Sequence, residues 1–370
     1  MKLFQQLLVA PAALGLLAPL SVSASEVNFD DISTYSNDNL EIDVNSFNQK
    51  STNNLLAGGE GLVDSSDFTG GFSETTTASF GVDFLVGAVD GGTSEKTEFA
   101  YSMGIGLETS FTGEDSLSAT IDIGNASSVV GGTSGLNFDG TSDALVLDGL
   151  TYTFPLGSTT VMVGDNTDIS AVYTGACAYS AFTDYMGNCG TGNSVGLGGK
   201  GVTAAMSYAF DGGFSLAGGV TSKSTEILGD DTDAYGLNAA YSADNYGVAV
   251  AYVSDDGGSD TETTIWGLNG YYTFDLASLS VGFETSDDGT TEKSGYFVGL
   301  SFPEVGPGSV NIAAATTGLF ADSETETLTY EASYSYAIND GMTITPGIFI
   351  KEVDGADDQT GVAVKTSFSF

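Results

Sequence analysis

The run Gly361-Val362-Ala363-Val364-Lys365-Thr366-Ser367-Phe368-Ser369-Phe370 decides how the rest of this chain is read. Val362, Val364, Thr366, Phe368 and Phe370 fall on one face, and Gly361, Ala363, Lys365, Ser367 and Ser369 on the other. A period of two with one apolar face and one small or polar face suits a strand that has lipid on one side and water on the other.

The same alternation runs back through the chain as far as Thr76. Its clearest stretch carries Phe99, Tyr101, Met103, Ile105, Leu107, Thr109 and Phe111 on one face, with Ala100, Ser102, Gly104, Gly106, Glu108 and Ser110 between them. Marking every such segment predicts about sixteen strands, at 76–88, 98–111, 116–124, 145–156, 159–165, 200–210, 213–222, 233–242, 245–254, 263–274, 276–286, 293–303, 308–317, 325–338, 341–351 and 361–370. The connections alternate in kind. Short turns such as Gly157-Ser158, Asp211-Gly212 and Asn339-Asp340 follow the even strands, and longer acidic loops, including 125–144, 166–199, 223–232, 255–262 and 352–360, follow several odd ones. An even number of strands with short turns at one end and long loops at the other predicts an all-β, closed antiparallel transmembrane barrel. Two places resist the pattern. Pro346 falls inside a strand, where a bulge at Pro346-Gly347 is expected, and Leu145, Val146 and Leu147 do not alternate.

The first residues read differently. Lys2, an apolar run from Leu3 to Leu20 and Val22-Ser23-Ala24 form a secretory leader over 1–24. Residues 25–75 are polar and aperiodic and read as an irregular arm. Beyond the leader no apolar run is long enough for a membrane-spanning helix. The division is thus a leader (1–24), an arm (25–75) and a barrel (76–370).

Of 370 residues, 49 are acidic and eight are basic, all eight of them lysine, and there is no histidine. Removing the leader leaves seven lysines against 49 acids, a net charge of −42. Such a chain is no partner for nucleic acid, whose binding rests on phosphate neutralisation. Disorder, the usual consequence of high charge, is opposed by 22 Phe, 17 Tyr and a hydrophobic share of 41%. Acids gathered at loop tips such as Asp230-Asp231 and Asp287-Asp288 read as solvated ends in a saline habitat. Without histidine there is no Ser-His triad and no histidine-built zinc site. No Asp-x-Asp-x-Asp-Gly loop closed by glutamate offers a calcium site. No catalytic residue, metal or cofactor is expected.

The face opposite the apolar stripe supplies a lumen. It carries Asp83, Glu108, Asp122, Glu284 and Glu331 against Lys365, so cations are favoured if water fills it. Cys177 and Cys189, the only cysteines, share the longest loop and are expected to pair. If that loop folds inward, Asp165, Asp168 and Asp184 are its candidates for a constriction. Trp266, Tyr271, Tyr272 and Phe274 read as an interfacial aromatic belt.

Several segments resemble a known family, the outer-membrane porins of cyanobacteria, the Som type, related to the OprB carbohydrate-selective porins. They are the leader Met1-Lys2-Leu3-Phe4-Gln5-Gln6-Leu7-Leu8-Val9-Ala10-Pro11-Ala12-Ala13, Thr109-Ser110-Phe111-Thr112-Gly113-Glu114-Asp115-Ser116-Leu117, Leu150-Thr151-Tyr152-Thr153-Phe154-Pro155-Leu156-Gly157, and the terminal Phe370. Phe368 and Phe370 resemble the assembly signal of such barrels. The stretch 25–75 is too short and polar for the surface-layer-homology module that many members carry. The resemblance implies a homotrimer in outer-membrane lipid and passive diffusion of small solutes and inorganic cations, with sugar or iron uptake among the assigned roles. The other reading is a secreted structural or adhesive β protein, which should show tandem repeats; the sequence shows none.

Overall fold

The computed structural model describes residues 76–370 except 93–94, 127–134, 137, 139, 197–198, 224–232 and 257–261. The leader and arm read over 1–24 and 25–75 lie outside the described residues.

Sixteen antiparallel strands form one closed sheet. They are β1 (Thr76–Asp90), β2 (Glu98–Thr109), β3 (Ser116–Gly124), β4 (Val146–Leu156), β5 (Thr159–Thr167), β6 (Gly201–Ala209), β7 (Phe214–Ser222) and β8 (Asp233–Ser242). The second half comprises β9 (Tyr246–Asp256), β10 (Glu262–Thr273), β11 (Ser278–Asp287), β12 (Glu292–Val305), β13 (Gly308–Thr316), β14 (Leu328–Asn339), β15 (Met342–Lys351) and β16 (Gln359–Ser369). A two-residue strand, Phe320–Ala321, lies in the loop after β13 and pairs with Lys293 and Ser294 of β12. Each strand pairs with its sequence neighbours, and β1 closes the ring on β16, from Gly81 opposite Ser369 to Asp90 opposite Thr360. Closure removes the unpaired edges that an open sheet would expose. At the seam Phe80 and Phe370 exchange backbone hydrogen bonds of 2.8 and 3.0 Å, and their rings stack at 5.5 Å.

Directly opposed residues in an antiparallel ladder share a face, so one secure assignment carries round the ring. Phe84, Phe99, Leu216, Leu237, Trp266, Val281, Val298, Ile312 and Ile348 are exposed on the outside. The outward aromatics form two belts six residues apart: Tyr235 and Tyr241 on β8, Tyr246 and Tyr252 on β9, Trp266 and Tyr272 on β10, and Tyr330 and Tyr336 on β14. Six residues of strand span about 20 Å. Trp266 and Tyr272 therefore belong to opposite belts. Tyr271 belongs to neither, because it faces inward beside Gly247 and packs against a cluster of Ala176, Ala240 and Ala249.

Short turns at one end include 157–158, where Gly157 takes φ +65° at the first central position of a two-residue hairpin, a conformation glycine reaches without penalty. The expected bulge at Pro346-Gly347 is absent: Pro346 stays opposite Val364 in unbroken register, and the irregularity lies at Ala337–Asn339 instead. Proline removes one N–H, but on the β14 side Ser333 opposite Gly347 and Tyr336 opposite Ile344 keep one register across it, so the cost is local. The broken alternation near Leu145–Leu147 has the opposite explanation. A bulge sets Ile121 against Leu147 and Thr120 against Gly149, leaving Asp148 as the extra residue.

Candidate functional site: the loop-lined lumen

The loop between β5 and β6 folds into the barrel and crosses its inner wall out and back. On the outward limb, the 3-10 turn Ile169–Val172 seats Ile169 against Met162 and Ala205. The chain then meets a series of side chains projecting inward. Thr174 N–H donates to Asn238 Oδ1 at 2.9 Å, Ala176 N–H to Asn269 Oδ1 at 2.8 Å, and Ala178 N–H to Ser280 Oγ at 3.1 Å. An extended segment donates on one side at alternate residues, so the loop lies along the wall like an added strand held by side chains.

Glu331 of β14 ends this limb. Its Oε1 accepts from Tyr179 Oη at 2.9 Å and Phe182 N at 2.8 Å, and its Oε2 from Thr183 N at 2.8 Å and Thr183 Oγ1 at 2.6 Å. The returning limb is held by Glu284 of β11, which accepts from Ser194 N at 2.5 Å and from Asn193 Nδ2 at 2.8 Å. Both carboxylates are closed off from solvent, at 0% exposure for Glu284 and 3% for Glu331. Cys177 and Cys189 are joined, Cα to Cα 5.8 Å, and tie the two limbs together.

Glycines on the inner face make room for this loop. A Cβ at Gly236 would overlap Tyr173, at Gly267 Ser194, at Gly282 the Cys189 carbonyl, at Gly299 the Tyr179 ring and at Gly347 the Phe182 ring. Small neighbours complete the bed: Met186 and Cys189 pack on Phe297, Ala313 and Ala315. Phe182, at the loop's far point, joins Leu85, Val89, Ala100, Phe349 and Ala363, and Leu136 of the loop after β3 packs there as well. Lys351 Nζ stands 5.1 Å from the centre of the Tyr185 ring.

The residues singled out from sequence are distributed as follows. Asp83, Glu108, Asp122, Glu284, Glu331 and Lys365 all stand on the inner face by register. Glu284 and Glu331, however, lie beneath the loop as its anchors and present no charge to open water. Asp165 is misplaced by the sequence reading. It lies in β5 opposite Leu150, on the outward face with Val161 and Val163, because the alternation of the strand continues unbroken through it. Asp168 caps the turn that follows it, accepting from Ser170 N at 2.7 Å, and Asp184 is exposed at the start of the 3-10 segment Asp184–Gly190. Sequence reasoning passed over Asn238, Asn269, Ser280 and the seating glycines. The available signal was their parity, which puts glycine and small polar residues on the inner face of strands whose outer face is uniformly apolar.

At the short-turn end another carboxylate organises the wall. Asp115 Oδ1 accepts from Ser110 Oγ, Phe111 N, Thr112 N and Thr112 Oγ1, at 2.8 to 2.9 Å, while Oδ2 accepts from Tyr152 Oη at 2.7 Å. The Tyr152 bond, followed by those from Thr112 and Ser110, holds this carboxyl well below the usual carboxylate range. The two internal segments that carry the family resemblance therefore meet in one hydrogen-bonded turn.

No family model and no curated protein sequence matches this chain. Solved structures do. A Pseudomonas putida OprB structure at high pH superposes with a TM-score of 0.63 at 12% identity, covering 80% of this chain and 94% of that one. An anion-selective porin from Comamonas acidovorans gives 0.59 at 14%, covering 80% and 99%. A mutant of the Rh. blastica porin gives 0.53 at 15%, covering 80% and 100%. At these identities the similarity establishes the fold: this chain has the sixteen-stranded barrel of bacterial porins.

Proposed function

We propose that this protein is a passive diffusion channel of an outer membrane, with a water-filled lumen narrowed by the loop 168–200. The observation that carries the reading is the loop's attachment inside the barrel by buried carboxylates, amides and glycine seats. A loop held this firmly across the wall fixes a cross-section, which is what a size-limiting passage requires. Small solutes and ions cross down their gradients, and no bond is made or broken. The resemblance adds a homotrimer, export by the leader and a place in outer-membrane lipid to the same proposal.

Charge preference is set by the inner residues left open to water. With Glu284 and Glu331 withdrawn beneath the loop, Asp83, Glu108 and Asp122 remain, on the adjacent strands β1, β2 and β3. Three carboxylates along one wall favour cations. The preference is smaller than the chain's total charge suggests, because most of its 49 acids lie elsewhere. The Comamonas porin is described as anion-selective, so the cation preference rests on this chain's own inner residues. A secreted adhesive protein, the alternative reading, has no use for a constriction built inside a ring with an apolar exterior. Single-channel recording in a planar bilayer under a KCl gradient tests the proposal. Stable unitary steps with a reversal potential on the cation side are expected; folded, inserted protein without steps would sink it.

A further inference from the structure

The outward face between the two aromatic belts is uneven. Where an outward position carries alanine in place of a branched or aromatic residue the wall is dented, and two apolar grooves result. One lies at Ala314 and Ala332, holds about 400 Å³ and runs up to Tyr330 of the belt nearer the long loops. The other lies at Ala239 of β8 and holds about 600 Å³. Ala239 stands opposite Leu216 on β7 and Val250 on β9, both exposed, so the alanine forms a floor and its larger neighbours form the banks.

The two grooves end differently. Below Ala239 the larger one passes the rings of Phe214 and Tyr241, whose centres are 4.6 Å apart, and reaches the short-turn end at Phe210 and Asp211. Asp211 is exposed, and among the described residues neither a hydrogen bond nor an ion pair engages its carboxylate. At the smaller groove the acid beside Tyr330 is already in use: Glu352 accepts from Tyr330 Oη at 3.3 Å and from Leu328 N at 2.8 Å. The rim around Asp211 carries one sign of charge. Neighbouring short turns expose Asp244 and Asp275, and none of the six described lysines lies on a short turn. An anionic headgroup would meet only like charge there, whereas a cationic one would be attracted.

We propose that the Ala239 groove is a binding site for a lipid of the short-turn leaflet whose headgroup carries a primary ammonium. One acyl chain lies over Ala239 between Leu216 and Val250, where each methylene taken out of contact with its surroundings adds to the hold. The ammonium sits at Asp211, which accepts its N–H donors. Phe214 and Tyr241 mark the depth at which chain gives way to headgroup, the level at which interfacial aromatics settle. This inference rests on the membrane placement in the reading above and not on conduction.

The test is which lipid stays with the barrel. The full chain is folded into vesicles of phosphatidylethanolamine and phosphatidylglycerol in equal amounts, extracted in mild detergent and weighed intact by native mass spectrometry. The wild type should retain phosphatidylethanolamine over phosphatidylglycerol by about threefold, the worth of one surface ion pair. Asp211→Asn should still retain lipid but abolish that preference. Ala239→Phe, which fills the groove, should lose the retained lipid altogether; Ala239→Leu takes its place if the phenylalanine variant lacks heat-modifiable gel mobility. Wild type that retains the two lipids in equal amounts, or a preference unmoved by Asp211→Asn, overturns the proposal. So does a filled groove that keeps its lipid, and so does one that changes the number of copies in the particle, which would make this face a contact between copies. A barrel that inserts and retains lipid as expected but does not conduct overturns the channel reading alone, and a chain that enters no vesicle overturns both.

Discussion

The inner wall of this barrel has two parts that solve different problems. From β5 to β16, and at Leu85, Val89 and Ala100 of β1 and β2, it is a bed for the loop, made of glycines, alanines, amides and two buried carboxylates. Elsewhere on β1 to β3 it is open, with Asp83, Glu108 and Asp122 on its surface. The same residue type does opposite things in the two parts. A glutamate in the bed is a structural acceptor with every bond satisfied, whereas an acid on the open wall faces water and acts at a distance. A count of acids on inner positions therefore overstates the charge that faces open water.

Glu331 offers the hardest test of that division. Replacing it with alanine leaves four loop donors without their acceptor, and the anchor loses on the order of 3 kcal/mol even after water recovers part of the loss. The loop's far point should leave the wall, with larger and noisier unitary conductance and cleavage by chymotrypsin at Tyr179, Phe182 or Tyr185. Glu331→Gln keeps one acceptor and turns two new donors toward the loop, so it should fall between alanine and wild type. If both variants keep the wild-type conductance and resist chymotrypsin, the bed is not what holds the loop.

The disulfide comes next. Cys177 and Cys189 are twelve residues apart and enclose the segment that Glu331 holds. A closed loop of that size adds about 3 kcal/mol in the chain-entropy model, an upper value where hydrogen bonds already restrain the ends. The double substitution Cys177→Ser with Cys189→Ser should leave mean conductance near wild type while raising current noise and lowering the loop's resistance to chymotrypsin. Mean conductance rising as far as in Glu331→Ala would make the disulfide, rather than the bed, the principal restraint.

On the open wall the effects are smaller and of another kind. Glu108→Gln should lower cation preference by a factor of about two to three with conductance and stability unchanged, as expected for a charge screened by water and salt. Glu284→Gln should move selectivity less than Glu108→Gln, since its charge is covered, while loosening the returning limb. Equal shifts in selectivity from the two glutamines would erase the distinction between the two parts of the wall.

These contrasts also mark what could be read from the sequence. The strands were legible because one requirement, an apolar side chain, recurs at the outward positions, and sixteen segments that meet it leave little freedom of register. The faces of Asp83, Glu108, Glu284, Glu331 and Lys365 followed from the same parity. The fate of Glu284 and Glu331 did not, because it depends on where a loop 90 to 150 residues distant in sequence comes to lie. Gly236, Gly267, Gly282, Gly299 and Gly347 read in isolation as weak points of strands, and become seats once Tyr173, Ser194, Cys189, Tyr179 and Phe182 are placed against them. Asp165 stands two residues after Val163, so the same parity already turns it outward; it was misassigned because it was grouped with the loop that follows rather than with its own strand.

Away from the Phe182 contacts with Leu85, Val89 and Ala100, the open wall has a brace of its own in the Asp115 turn. This gives the smallest expected effect. Because the folded state holds the Asp115 carboxyl below its ordinary range, the carboxylate stabilises the fold above the unfolded value of about 3.9. That contribution is complete at neutral pH and is lost as pH falls below about 4 toward the depressed folded value. Thermal unfolding of the detergent-folded barrel should therefore lose part of its stability between pH 4 and pH 2, and Asp115→Asn, which has no proton to take up, should lose less over the same interval. The loosening should be local. Amide exchange should quicken first at Phe111 and Thr112, whose N–H groups Asp115 accepts, while Ala176 and Phe182 in the loop bed keep their protection. If exchange quickened in both places together, the two parts of the wall would be one cooperative unit, with the brace and the bed sharing a single stability.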